Sequence, residues 1–231
     1  MAAETLLLLP GMLCDARLWT AQTRALDLPV YHADTTVSDN FADMATQVLR
    51  DAPPSFALAG LSMGGILAFE VWRQAPWRVT HMALLDTNPH AERTHRKNSR
   101  LEEIGKAAAG GLRELAVEQL KPLYLAEAHR EDQVLLDTLL DMAMDLGPEV
   151  FRSQSLALRD RVDSAPTLQS IDCPVLVACG DEDKLCPVEY HTFMAEKIPH
   201  ATLSIIENCG HISTLEQPEI VTRLLLELLQ R

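Results

Sequence analysis

Residues 60–64 read GLSMG, a serine with glycine two places before and two places after it. Far downstream lie groups able to work with that serine: Asp181, Glu182 and Asp183 in GDEDKLCP, and His211 in ENCGHISTLEQPE. A serine hydroxyl is a poor nucleophile until a fold holds it beside a base. An imidazole is such a base near neutral pH, and a carboxylate on its far side sets the tautomer and stabilises the charged ring. The combination points to attack on a carbonyl through a covalent acyl intermediate. A helix starting near Met63 would aim backbone N–H groups and the positive end of its dipole at the developing oxyanion.

Such groups must be brought together by a frame. Apolar runs at Thr5–Leu9, Val30–Ala33, Ser55–Ala59, Val79–Leu85, Pro174–Ala178 and Ala201–Ile206 predict strands, while residues 40–51, 63–75, 187–197 and 217–230 carry helical periodicity. This alternation predicts an α/β fold, a mostly parallel sheet of about six strands with helices on both faces. Ser62 then sits on a sharp strand-to-helix turn, where crowding requires small residues at 60 and 64. A mere tight turn is the alternative reading. Of the eight histidines, only His211 follows the last predicted strand, in a loop at the carboxyl edge where Ser62 lies. Asp181, Glu182 and Asp183 follow the penultimate strand and reach the same edge.

Between residues 89 and 171 the strand signal is absent, and helical patterns such as LRELAVEQL and EDQVLLDTLLDMAMDL are broken at Gly110-Gly111 and Gly147-Pro148. The chain therefore divides into a core of residues 1–88 and 172–231 and a helical cap insertion of residues 89–171. Met142 and Met144 either roof an apolar pocket or pack the cap on the core. Arg93, Arg96, Lys97 and Arg100 recur at helical spacing; they either grip an anionic group or form a solvated face. Cys14 and Cys209 neighbour the two active loops, as thiol-reagent targets or as buried, inert packing.

With 231 residues, Lys+Arg 20 and Asp+Glu 33, the net charge is −13, which disfavours partners with phosphate backbones or anionic bilayers. The start MAAETLLLLPG has Glu4, no Lys or Arg, and an apolar run stopped by Pro10, unlike a signal peptide; no later run is long enough to span a bilayer. Five cysteines without a C-x-x-C pair read as reduced thiols, hence a cytoplasmic protein. Neither a nucleic-acid nor a membrane partner is expected.

LPGMLCDARLW, GLSMGG, GDEDKLCP and GHISTLEQPE together resemble the α/β-hydrolase fold superfamily, in its small capped, serine esterase-like group. The resemblance implies Asp183 as the acid, from G-x-x-D-x-x-x-P on Gly180, Asp183 and Pro187. Asp181 is the second candidate, or else a turn residue bonding its own backbone. Some members use an acid at the place of Asp86. It also implies an oxyanion hole of the Met12 and Met63 N–H groups, Trp19 packed beneath the first loop, and a missing first hairpin. The implied function is hydrolysis of small-molecule carboxylic esters with an apolar acyl or alcohol part. Ser62, Asp183 and His211 would carry it, with no metal or organic cofactor. Thioester or carbon–carbon bond hydrolysis on the same residues, and non-catalytic ligand binding, are alternatives.

Overall fold

The computed structural model describes residues 5–119 and 123–231; Glu4, and Leu120 at the end of LRELAVEQL, lie outside the described residues. The elements are β1 (Leu6–Leu9), α1 (Thr20–Ala25), β2 (Val30–His32), α2 (Phe41–Asp51), β3 (Phe56–Leu61), α3 (Met63–Gln74), β4 (Val79–Leu85), α4 (Thr94–Lys106), α5 (Leu112–Gln119), α6 (Gln133–Asp160), β5 (Val175–Gly180), α7 (Val188–Lys197), β6 (Ala201–Ile206), α8 (Ser213–Glu216) and α9 (Pro218–Leu229). All six strands are parallel, in the order β2-β1-β3-β4-β5-β6.

Alternate residues of each strand feed two cores. Leu7, Leu9, Phe56, Leu58, Met82 and Leu84 face α2 and α3, while Leu6, Leu8, Ala57, Ala59, Ala83 and Leu85 face α9. Strands buried on both faces have no polar side to alternate with, which is why TLLLL, FALA and VLVA are apolar throughout. The helix α9 docks through Val221, Leu224, Leu225 and Leu228. The central strands run further than the apolar pattern predicts. β3 extends to Leu61 and β5 to Gly180, because Gly60 and Leu61 pair with Leu84 and Leu85, and Gly180 pairs with Ile206. The residues that read as turn glycines are ladder residues at the carboxyl edge.

The segment between β4 and β5 is helical, with α4 and α5 packed on α6. Gly110 (φ 94°) and Gly147 (φ 78°) bend it at the two expected breaks. Met142 is fully buried in the α9-side core and its Sδ accepts from Asp15 N at 3.4 Å, whereas Met144 is 40% exposed. The methionines therefore do not roof a pocket: one packs, and the other faces water. Among the described residues, no helix is long and apolar enough to cross a membrane.

Candidate active site

Ser62 joins β3 to α3 with φ 55° and ψ −115°, a region that a non-glycine residue enters only under constraint, at a cost on the order of 1–3 kcal/mol. The constraint comes from several directions. Ser62 N donates to Leu85 O at 2.9 Å, and Ser62 O accepts from Thr87 Oγ1 at 2.7 Å. Thr87 N donates to Nε2 of buried His191 at 2.9 Å, so that ring is neutral, and burial pushes its pKa down to about 4. A Cβ at Gly64 would lie on the Leu9 carbonyl, and one at Gly60 on the Gly64 backbone. The glycine spacing is thus a packing requirement of three elements meeting at one point.

The loop after β6 brings His211 to this turn, and the loop after β5 brings Asp183. Ser62 Oγ lies 2.8 Å from His211 Nε2, and His211 Nδ1 lies 2.8 Å from Asp183 Oδ2. With the Nδ1 proton donated to the carboxylate, Nε2 is the acceptor that faces the hydroxyl. Burial alone would depress the His211 pKa, but the charge and hydrogen bond of Asp183 outweigh it and hold the ring above its ordinary value. Asp183 Oδ1 is fixed by the N–H groups of Leu185 and Cys186, both at 2.8 Å.

The other acids lie elsewhere. Asp86, at the end of β4, accepts from Gly180 N at 3.2 Å and from Ser213 N and Oγ at 3.1 and 2.5 Å, and it has no bond to the imidazole. Burial and the adjacent Asp183 charge push its pKa up to about 8. Asp181 does not bond its own backbone as expected; its Oδ1 reaches across to Cys209 N at 3.2 Å and so ties the two loops. Glu182 accepts from Glu127 N at 3.0 Å, a contact to the segment between α5 and α6.

Met63 opens α3, so its N–H belongs to the first turn, where no intrahelical acceptor exists. Met12 borders the same cleft as Ser62 and His211. Its loop is held by Cys14 N to Gly11 O at 3.1 Å and by Leu13 N to Oε1 of buried Gln154 at 2.8 Å, with Trp19 fully buried below. Cys14 and Cys209 are buried, and burial raises both thiols, Cys14 to about 12.

Glu216 escaped the sequence analysis. Its Oε1 accepts from Gly210 N at 2.9 Å and Ile212 N at 3.3 Å, on either side of His211, and its Oε2 accepts from Ala126 N at 2.8 Å and lies 3.1 Å from His129 Nδ1. His211 N itself donates to Tyr124 O at 2.7 Å. The signal was present in S-T-L-E after the histidine, since a glutamate three residues into a helix start reaches back to the N–H groups before it. Gln154 and Arg161 carry no comparable local signal.

Above Ser62 lies a cleft open to solvent, bordered by Arg96, Arg100, Arg161, Lys184 and Glu92 besides Met12 and His211. The basic stripe divides: Arg96 and Arg100 border this cleft and Arg93 its outer mouth, whereas Lys97 borders neither. An apolar lobe lined by Leu112, Leu115, Leu139 and Phe151 shares Met12 and Tyr124 with it. Asp183, Cys186 and His211 place potential metal-ligand atoms within 4.8 Å of one another, but the imidazole and carboxylate are bonded together and Cys186 Sγ accepts from Asn88 at 3.4 Å.

The chain is similar over 93% of its length, at 25% identity, to the pimeloyl-[acyl-carrier protein] methyl ester esterase of Nitrosomonas europaea, covering 91% of that protein. It is 31% identical over 72% of its length to 3-oxoadipate enol-lactonase 2 of Acinetobacter baylyi, covering 60% of it. Among solved structures, a thermophilic esterase from Thermogutta terrifontis superposes with a TM-score of 0.91 at 26% identity, covering 99% of this chain and 90% of that one. The model of the alpha/beta hydrolase family matches residues 6–224, from the first strand through most of the last helix, and the chain accordingly belongs to that family.

Proposed function

We propose that the protein hydrolyses carboxylic esters of small molecules through an acyl-enzyme on Ser62. The observation that carries this reading is the unbroken line from Ser62 Oγ through both nitrogens of His211 to Asp183, each step 2.8 Å. His211 Nε2 takes the hydroxyl proton as Oγ attacks the ester carbonyl, and the Met12 and Met63 N–H groups hold the oxyanion. The same proton passes to the departing alcohol. Water then repeats the sequence on the acyl group, releasing the acid and restoring Ser62. Asp183 holds the ring in the required tautomer and balances its charge while it is protonated.

The esterase and lactonase names of the relatives support this reaction class. In the same reading, residues 89–171 act as a cap over a core of residues 1–88 and 172–231, and the apolar lobe receives the apolar part of the ester. A reducing, cytoplasmic setting is supported by five buried cysteines, none paired with another. The test is a fluorophosphonate label with its modified peptide mapped, run beside chromogenic esters of increasing acyl length. Labelling at Ser62, with turnover lost in Ser62→Ala while the fold persists, is the expected result. Wild-type turnover in Ser62→Ala would sink the proposal, and turnover of vinylogous diketones in preference to esters would replace the ester with a carbon–carbon bond.

A further inference from the structure

The helix α4 turns Arg100 into the cleft, and Arg161, just past the end of α6, meets it there; their side chains are 11% and 8% exposed. Both bond Glu92, itself 7% exposed: Arg100 Nε to Oε2 at 2.7 Å, Arg161 Nη1 to the same oxygen at 2.9 Å, and Arg161 Nη2 to Oε1 at 3.3 Å. Two guanidinium groups against one carboxylate leave one positive charge unbalanced on side chains that are mostly buried yet border the open cleft. Arg161 also serves the fold, donating through Nε to His90 O at 2.8 Å and through Nη1 to Leu158 O at 3.1 Å. By contrast, Arg100 has Glu92 as its one strong acceptor, and an incompletely paired charge lowers stability. Arg96 stands beside them, held by Glu103 at 2.6 Å. Arg100 Nη1 points at Met12 Sδ, 3.9 Å away, and a thioether is a weak acceptor. The guanidinium with the poorest partner therefore touches the residue expected to hold the oxyanion.

We propose that Arg100, Arg161 and Arg96 form a subsite for an anionic group carried by the ester, a carboxylate or a phosphate; the inference rests on the esterase reading above. Guanidinium forks bind either oxyanion through paired N–H donors. The incoming anion supplies the missing negative charge and takes the place of the Met12 thioether opposite Arg100. Because Met12 and Tyr124 border both spaces, the substrate spans them, its charged end under α4, its apolar end among Leu112, Leu139 and Phe151, and its carbonyl at Ser62.

The test compares kcat/KM for p-nitrophenyl hemiglutarate with that for its neutral carboxamide analogue. The expected result is at least a tenfold preference for the anion, reduced tenfold or more in Arg100→Gln and in Arg96→Gln, partly retained in Arg100→Lys, and kept in Arg152→Gln at an exposed position of α6. In parallel, glutarate and inorganic phosphate are titrated calorimetrically into Ser62→Ala, with and without Arg100→Gln. Binding of glutarate alone assigns a carboxylate, and binding of phosphate alone assigns a phosphate, in each case weakened tenfold by the arginine change. Hydrolysis of both esters without preference, together with no anion binding, overturns the subsite and leaves the esterase intact. Anion binding that depends on Arg100, with neither ester turned over, overturns the esterase and leaves the subsite.

Discussion

At His211 two effects oppose one another: burial disfavours the imidazolium and the Asp183 carboxylate favours it, and the carboxylate wins. Because the proposed base works only when neutral, kcat/KM should climb with pH through a midpoint above the ordinary histidine value. Asp183→Asn removes the charge that raises this midpoint and leaves the tautomer unsupported. A pH–rate profile of that variant should show the acid limb moved to lower pH and kcat down by about 10⁴. An unchanged profile would assign the acid elsewhere, with Asp86 next to be tested. Ser62 itself was legible because the glycines two places before and after it mark its turn within five residues, although the groups that hold the turn, from Leu9 to Thr87, are distant in sequence. Choosing among Asp181, Glu182 and Asp183 was not possible from spacing alone, since three adjacent acids reach one edge and only the loop's path turns Asp183 toward the ring.

Among the elements, the junction of β3 with α3 is where close approach decides most. Gly64→Ala places a methyl group on the Leu9 carbonyl, so β1 and α3 must part; the variant should be recovered mainly unfolded or with a sharply lowered Tm by calorimetry. In the loop between β6 and α8 one carboxylate holds the N–H groups on either side of His211. Glu216→Ala leaves the Gly210, Ile212 and Ala126 N–H groups without that acceptor, and each buried unpaired donor costs about 1–3 kcal/mol. A lower Tm and a lower kcat should appear together, while Glu216→Gln, which keeps one acceptor oxygen, should recover part of both. The strands and outer helices were legible from apolar periodicity. Gln154 and Glu216 act across 141 and 90 residues of chain, as their bonds to Leu13 N and Ala126 N show; S-T-L-E announces only the bonds of Glu216 beside His211, and no local pattern announces the distant partners. The stripe on α4 was readable as a stripe, but which of its cations turn inward depends on Glu92 and Arg161, the latter contributed from just past the end of α6.

For the molecule as a whole, Asp86 links the centre of the sheet to pH. Its carboxyl titrates near 8 when folded and near 4 in an unfolded chain, so between those values the folded protein holds more protons. Stability should therefore be greatest at the acid end of that window and decline as pH rises toward 8, a fall that Asp86→Asn should flatten in a series of thermal melts. The all-parallel sheet and the acidic balance of the chain were both legible in composition and periodicity. The basic cleft was not, because a net charge is a sum and says nothing about where the minority sign gathers. The bonds from Tyr124 O and Ala126 N to the His211 loop and Glu216 have a mechanical consequence. Lifting residues 124–126 at this seam would drag the His211 backbone out of register, so on the proposed reading an ajar molecule would be an idle one, and reactant traffic would cost least through the arginine-rimmed doorway already standing open.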